Sequence, residues 1–212
     1  DREHLHRLRA LVGAVVVGAQ TVVADDPQLT TRAVTGPSPV RVIIDPRARI
    51  PRDARVLTDG SARTLWCVAA ECRPATTLAP HVDLVSLPMA AGRIPPTGLL
   101  DMLRERGLGR VLVEGGGRTV SDFVSAGVLD QLYLTTAPIL VGDGVPGLRF
   151  AGSDFVADAL TASVRRFSLG RDLCTVFDFA ATPLGLESSG KSENVAMVEL
   201  DLQQPSNQLG TS

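Results

Sequence analysis

Three stretches bring together residue types that could do chemistry. The first is Thr21-Val22-Val23-Ala24-Asp25-Asp26-Pro27-Gln28-Leu29-Thr30-Thr31-Arg32. In it a hydroxyl, two adjacent carboxylates and a guanidinium follow the apolar run Val15-Val16-Val17 across a turn at Gly18. A buried strand opening into a polar loop is where α/β proteins place binding and catalytic groups. The same text also fits a buried strand and a solvated turn. The second stretch is Val113-Glu114-Gly115-Gly116-Gly117-Arg118-Thr119-Val120-Ser121-Asp122, a strand end, three glycines and a helix start. Glycines let backbone approach an anion, and the first N–H groups of a helix point at it with the positive end of the dipole. The third is Ile44-Asp45-Pro46-Arg47-Ala48-Arg49, either a solvated basic turn or a place for an anionic group such as the 2′-phosphate of NADP. Asp25 and Glu114 put a carboxylate near two strand ends. Glu114 suits either a structural ion pair or a hydrogen bond to a polar heterocycle.

Spacing excludes several familiar sites. The glycines after Glu114 fail the last position of a dinucleotide fingerprint, and no acid follows at about 20 residues to take a ribose. No Gly-Lys-Ser/Thr follows either, so this is not a P-loop. Cys67, Cys72 and Cys174 have no CxxC spacing and read as buried thiols in a reducing compartment. His4, His6 and His81 form no metal pattern with them, and His4-x-His6 reads as part of a surface helix. A formal net charge of -2 gives no electrostatic reason to expect nucleic acid or an anionic membrane as partner. With no long apolar run and no signal-peptide pattern, the cytoplasm is the expected compartment.

The elements that must position these residues follow from the apolar pattern. The 212 residues are 44% hydrophobic but only 4% aromatic, so one domain with an aliphatic core is expected. Leu5, Leu8 and Leu11 predict an amphipathic helix over 1–11. Short β-branched runs predict strands at 12–18, 40–45, 64–69, 82–87 and 109–114, covered on both faces. Helices are predicted over 97–106, stopped by Gly107, and over 119–128. A longer strand is expected at 130–141. An antiparallel hairpin is expected at 159–167 and 172–179 around Ser168-Leu169-Gly170-Arg171. From Ala181 the composition shifts to a flexible linker and tail, in which 195–202 could add a small edge strand. The expected fold is α/β, a mixed and mostly parallel sheet with helices on both faces and a C-terminal antiparallel hairpin.

With these residues in hand, the chain resembles the reductase domain of the bifunctional riboflavin-biosynthesis deaminase/reductase, which has a dihydrofolate-reductase-like fold. The likeness rests on Leu8-Arg9-Ala10 and on Val17-Gly18-x-x-Thr21-Val22-x-Ala24-Asp25-Asp26-Pro27-x-Leu29-Thr30-x-Arg32. It continues through Pro39-Val40-Arg41-Val42-Ile43-Ile44-Asp45, Val113-Glu114-Gly115-Gly116, Leu129-Asp130-Gln131-Leu132 and Ala137-Pro138-Ile139-Leu140-Val141-Gly142, covering residues 1 to about 179. The resemblance implies NADPH-dependent reduction of a ribosylaminopyrimidine 5′-phosphate to the ribitylamino compound, in a homodimer. It implies NADPH contacts at Thr21, Asp25, Pro46 and the turn Gly116, Gly117, Arg118, Thr119, Val120, Ser121, Asp122. Arg9, Leu29, Arg32 and Glu114 would hold the substrate, the arginines its phosphate and Glu114 its polar head. Asp25 is the expected proton-handling group, with water an equal alternative.

Three departures from the family pattern bear on these expectations. The family domain opens with a strand and loop ahead of the first helix that serve both sites, and this chain starts after them. No His/Cys signature of the zinc deaminase that often precedes the reductase is present. Pro46 replaces a frequent hydroxyl residue, so Arg47 or Arg49 would take a 2′-phosphate. A same-fold reductase for another pterin- or pyrimidine-like substrate, and a non-catalytic nucleotide-binding relative, are the alternative readings.

Overall fold

The computed structural model describes residues 2–74, 77–144, 146–180 and 195–201. In chain order they form α1 (Arg2–Ala10), β1 (Ala14–Gly18), α2 (Ala19–Asp25), β2 (Val40–Ile44), α3 (Arg55–Thr58), β3 (Thr64–Ala69) and β4 (Val82–Leu87). Then come α4 (Pro96–Glu105), β5 (Arg110–Glu114), α5 (Gly117–Ser125), β6 (Gln131–Thr136), a 3₁₀ turn (Val156–Asp158), β7 (Ser163–Leu169), β8 (Asp172–Asp178) and β9 (Val195–Asp201). The strands build one sheet in the order β4-β3-β2-β1-β5-β9-β6-β8-β7. Pairings from β4 through β6 are parallel, and those of β8 with β6 and with β7 are antiparallel.

The pleat explains why the central strands read as unbroken apolar runs. Successive side chains point to opposite faces, and both faces are covered. On one face Ala14, Val16, Val42, Leu65, Cys67, Val111 and Val113 pack with Leu99, Leu100 and Leu103 of α4 and Val120 and Phe123 of α5. On the other, Val15, Val17, Ile43, Trp66, Val68 and Leu112 pack with Leu8 of α1, Val22 of α2 and Val56 and Leu57 of α3. Helix α4 begins with Pro96 in its first turn and is followed by Gly107 at φ 74°, the conformation that glycine accepts at a helix end.

Several boundaries differ from the sequence expectation. Helices α2 and α3 were not expected, being short and without side-chain caps at Gly18 and Ala54. Strand β6 stops at Thr136 rather than running to 141, since Pro138 cannot donate to a ladder. The hairpin forms as expected, but β7 starts at Ser163, leaving Leu160 outside it. Strand β9 is not at the edge. It lies inside the sheet, parallel to both β5 and β6, with Glu199 in register with Glu114 and Tyr133. The remainder of the expected tail, 181–194 and 202–212, lies outside the described residues.

Candidate active site

Strand order locates the site. The chain steps outward from β1 through β2 and β3 to β4, then returns to lay β5 on the other side of β1. Loops leaving the carboxyl ends of β1 and β5 therefore diverge to opposite sides, and the crevice between them is where open α/β sheets bind ligands. Gly18 ends β1 and Glu114 ends β5, so the first two sequence stretches meet there.

At the end of β5 a buried guanidinium grips a buried carboxylate. Arg9 donates from Nε to Glu114 Oε1 at 2.8 Å and from Nη2 to Oε2 at 2.6 Å, a bidentate pair with both side chains under 10% exposed. Its third donor, Nη1, reaches the carbonyl of Thr30 at 3.1 Å, tying α1 and the end of β5 to the loop after α2. On that loop Leu29 is buried at φ 58°, an unfavourable backbone for a branched-chain residue that burial enforces. Arg32 follows, exposed, with Nη1 donating to Gln28 Oε1. Desolvation first, then Arg2, Arg9 and Arg55, hold the Arg32 guanidinium below its usual pKa, with Asp59 opposing them. Of these arginines, Arg9 is paired with Glu114 and Arg55 with Asp26, which leaves the exposed Arg32 as the guanidinium this loop presents.

Beside them is the glycine turn. Gly116 N donates to Thr21 Oγ1 at 3.3 Å, and a Cβ on Gly115, at φ 104°, would sit 2.7 Å from the same oxygen. Only glycine allows this approach. Helix α5 starts at Gly117 with no side-chain cap; Thr119 N donates to the Gly116 carbonyl at 3.0 Å, so Gly117 and Arg118 carry the N–H groups that an anion would use. The segment 146–149 crosses this end. A Cβ on Gly117 would collide with the Gly147 carbonyl, and Arg149 N donates to Ser121 Oγ at 2.7 Å. The Ser121 hydroxyl also donates to the Gly117 carbonyl, and Val120 is fully buried, so both could meet a ligand only through backbone. Asp122 pairs with Arg93. Arg118 is exposed and has no partner among the described residues, and Thr119 faces Gly18. Asp25 lies one turn beyond Thr21 on the same face of α2, exposed.

One strand further along the same edge, Asp45 is wholly buried and accepts from Arg49 N, Ile50 N and Trp66 Nε1 at 3.0, 3.0 and 3.1 Å. These bonds fold the 46–50 turn, with the Pro46 carbonyl taking Ala69 N. Arg47 and Arg49 are exposed, and neither guanidinium has a partner among the described residues. Asp45 is thus a structural brace beneath a presented basic pair.

Sequence reasoning missed His6 and Thr30. His6 is buried, not on a surface helix, and its Nδ1 accepts from Arg32 N at 3.0 Å. Burial first, then Arg9, Arg32 and Arg2, lower its pKa, keeping the ring neutral so that it can accept. The available signal was spacing, since His6 lies three residues before Arg9 on one face of α1. Thr30 contributes a carbonyl, which no side-chain pattern reveals.

The sequence matches the RibD C-terminal domain over residues 1–173. It is 30% identical over 187 residues to a 2,5-diamino-6-ribosylamino-4(3H)-pyrimidinone 5′-phosphate reductase of Archaeoglobus fulgidus, covering 80% of this chain and 82% of the relative. It is 33% identical over 179 residues to the reductase of that name from Methanothermobacter thermautotrophicus, covering 82% of each chain. Among solved structures it resembles a diaminohydroxyphosphoribosylaminopyrimidine deaminase/5-amino-6-(5-phosphoribosylamino)uracil reductase of Thermotoga maritima. The TM-score is 0.68 and the identity 27%, with 84% of this chain covered and 48% of that one. The chain therefore spans about half the length of that two-function protein.

Proposed function

This chain belongs to the RibD C-terminal domain family, and from that premise we propose that it reduces a ribosylaminopyrimidine 5′-phosphate to the ribitylamino compound in riboflavin biosynthesis. The observation that carries the reading is the pairing of chemistries at the β1/β5 crevice. Arg32 stands exposed on the loop that Arg9 ties to Glu114, where a phosphate would bind, and the Glu114 carboxylate lies at the end of β5, where a polar ring would. When bound, a nicotinamide cofactor supplies hydride to the carbon that ring opening makes imine-like. The chain's own residues then position and protonate. Arg32 orients the phosphate end, Arg9 holds the Glu114 carboxylate in place for the pyrimidine, and Leu29 packs behind them as an apolar support. Asp25, exposed on α2, handles the proton that the opened ring oxygen or the nitrogen must take up, itself or through water.

The features around the crevice fit NADPH as that cofactor. Thr21 and the uncapped start of α5 at Gly116 and Gly117 suit its diphosphate, with Arg118 adjacent. The braced 46–50 turn presents Arg47 and Arg49 to a 2′-phosphate. On this reading the protein works as a homodimer in the cytoplasm.

The test is turnover. Mixed with NADPH and 2,5-diamino-6-ribosylamino-4(3H)-pyrimidinone 5′-phosphate, the protein should consume nicotinamide absorbance, and a lack of oxidation would overturn the reading. Arg32→Ala should raise KM for the phosphorylated substrate by about 1.5–3 kcal/mol, far more than it changes NADPH affinity. Equal loss of both would remove Arg32 from the phosphate site.

A further inference from the structure

Arg32 is a long exposed side chain asked to hold a phosphate, and ordering such a side chain costs rotamer entropy at every binding event. The structure offers a way to meet that cost in advance. Gln28 stands between Arg32 and Asp59. Its Oε1 accepts from Arg32 Nη1, and its Nε2 donates to Asp59 Oδ2 at 3.2 Å. Resting on the function proposed above, we propose that Gln28 and Asp59 are positioning residues that set the Arg32 guanidinium for the substrate phosphate.

The geometry makes the amide directional. A guanidinium can only donate, and an ionised carboxylate can only accept. Gln28 must therefore turn its oxygen to Arg32 and its NH₂ to Asp59, and neither end tolerates the flipped amide. Asp59 is in turn fixed from below. Its Oδ1 accepts from Ser61 N at 2.9 Å, and its backbone carbonyl accepts from Arg41 Nη2 at 2.6 Å. Arg41 Nη1 lies 3.9 Å from Asp59 Oδ2, and the Arg41 side chain, on β2, is wholly buried. The relay thus runs from a guanidinium immobilised in the sheet, through a carboxylate and an amide, to a guanidinium in the crevice. A second tie keeps the loop in place. The Asp26 carboxylate accepts from Arg55 N at 2.8 Å and Nε at 3.0 Å, so the segment around α3 holds this loop at two points.

Steady-state kinetics test the assignment. Gln28→Met keeps the length and removes both hydrogen bonds. It should raise KM for the 5′-phosphorylated substrate about 3- to 10-fold, with kcat within about twofold and no change for the substrate lacking its phosphate. In an Arg32→Ala background the same substitution should add less than about twofold, because the side chain it positions is gone. Asp59→Asn should act in the same direction, its thermal unfolding followed in parallel because Arg41 loses a counter-charge. The positioning role is overturned alone if Arg32→Ala raises KM while Gln28→Met does not. It is also overturned if the Gln28→Met penalty persists in full without Arg32 or without the phosphate. An Arg32→Ala variant with unchanged KM would instead overturn the phosphate reading on which this assignment rests.

Discussion

From β1 to β5 the strand side chains that face helices are sealed, with Val15, Val16, Val42, Trp66 and Leu112 all wholly buried. Beyond β6 the pattern reverses. Ile139, Leu140 and Val141 after β6, Phe155 and Val156 around the 3₁₀ turn, and Val164 on β7 are exposed, Leu140 and Val156 at more than 90%. The parallel half is closed by its own helices, and Asp25, Arg32, Arg47, Arg49 and Arg118 are exposed near its carboxyl edge. Among the described residues the antiparallel end carries these exposed apolar side chains, and we propose that this face is where a second copy of the chain would pack.

The sharpest way to break this division is at the closed end. Arg9→Leu would leave the Glu114 carboxylate buried without its bidentate partner, and should cost about 3–5 kcal/mol of stability, read from urea unfolding. Arg9→Leu with Glu114→Leu removes both charges and should recover a large part of that loss, while abolishing substrate binding. If the single variant unfolds no more readily than the parent, the pair is not the keystone of the closed half.

A smaller effect tests the same edge by pH. His6 accepts from Arg32 N only when neutral, and burial and the neighbouring arginines lower its pKa in the folded protein. The unfolded chain takes up the proton nearer the ordinary value of about 6.5. The stabilisation from neutral His6 is therefore complete above about pH 6.5 and is lost as pH falls from there through the lower folded value. His4 is lowered as well, by burial first, so the parent alone does not isolate the effect. The measurement is the urea midpoint against pH in the parent and in His6→Gln. The variant should show a shallower acid decline, and identical profiles would remove His6 from the acid sensitivity of the loop.

The same contrast explains what was legible in the sequence. The buried strands of the parallel half were readable because two-sided burial writes continuous β-branched text, as in Val15-Val16-Val17 and Val42-Ile43-Ile44. Arg9, Leu29, Arg32, Thr21 and Glu114 stand out through the family motif, and the structure pairs Arg9 with Glu114 and sets Thr21 against Gly116. What escaped was set by tertiary context. His6 reads as a polar helix residue until Arg32 N–H arrives to donate to it. Gln28 occupies an unconstrained position in the motif, and its meaning comes from Asp59, 31 residues away. Strand β9 lies inside the sheet because register places it between β5 and β6, and alternation alone does not distinguish an edge from an interior place.

The open half gives the smallest change in fold stability and the clearest change in assembly. Leu140 and Val156 are more than 90% exposed among the described residues, so replacing each with Asp should move unfolding free energy by no more than about 0.5 kcal/mol. If this face is where two copies meet, the same pair of charges would have to be desolvated against the partner, and the cost should appear entirely in association. Sedimentation of Leu140→Asp with Val156→Asp should then report a monomer where the parent is a dimer, at unchanged urea midpoint when both are dilute enough to be monomeric. A variant that sediments like the parent would mean that this apolar face is not the homodimer contact.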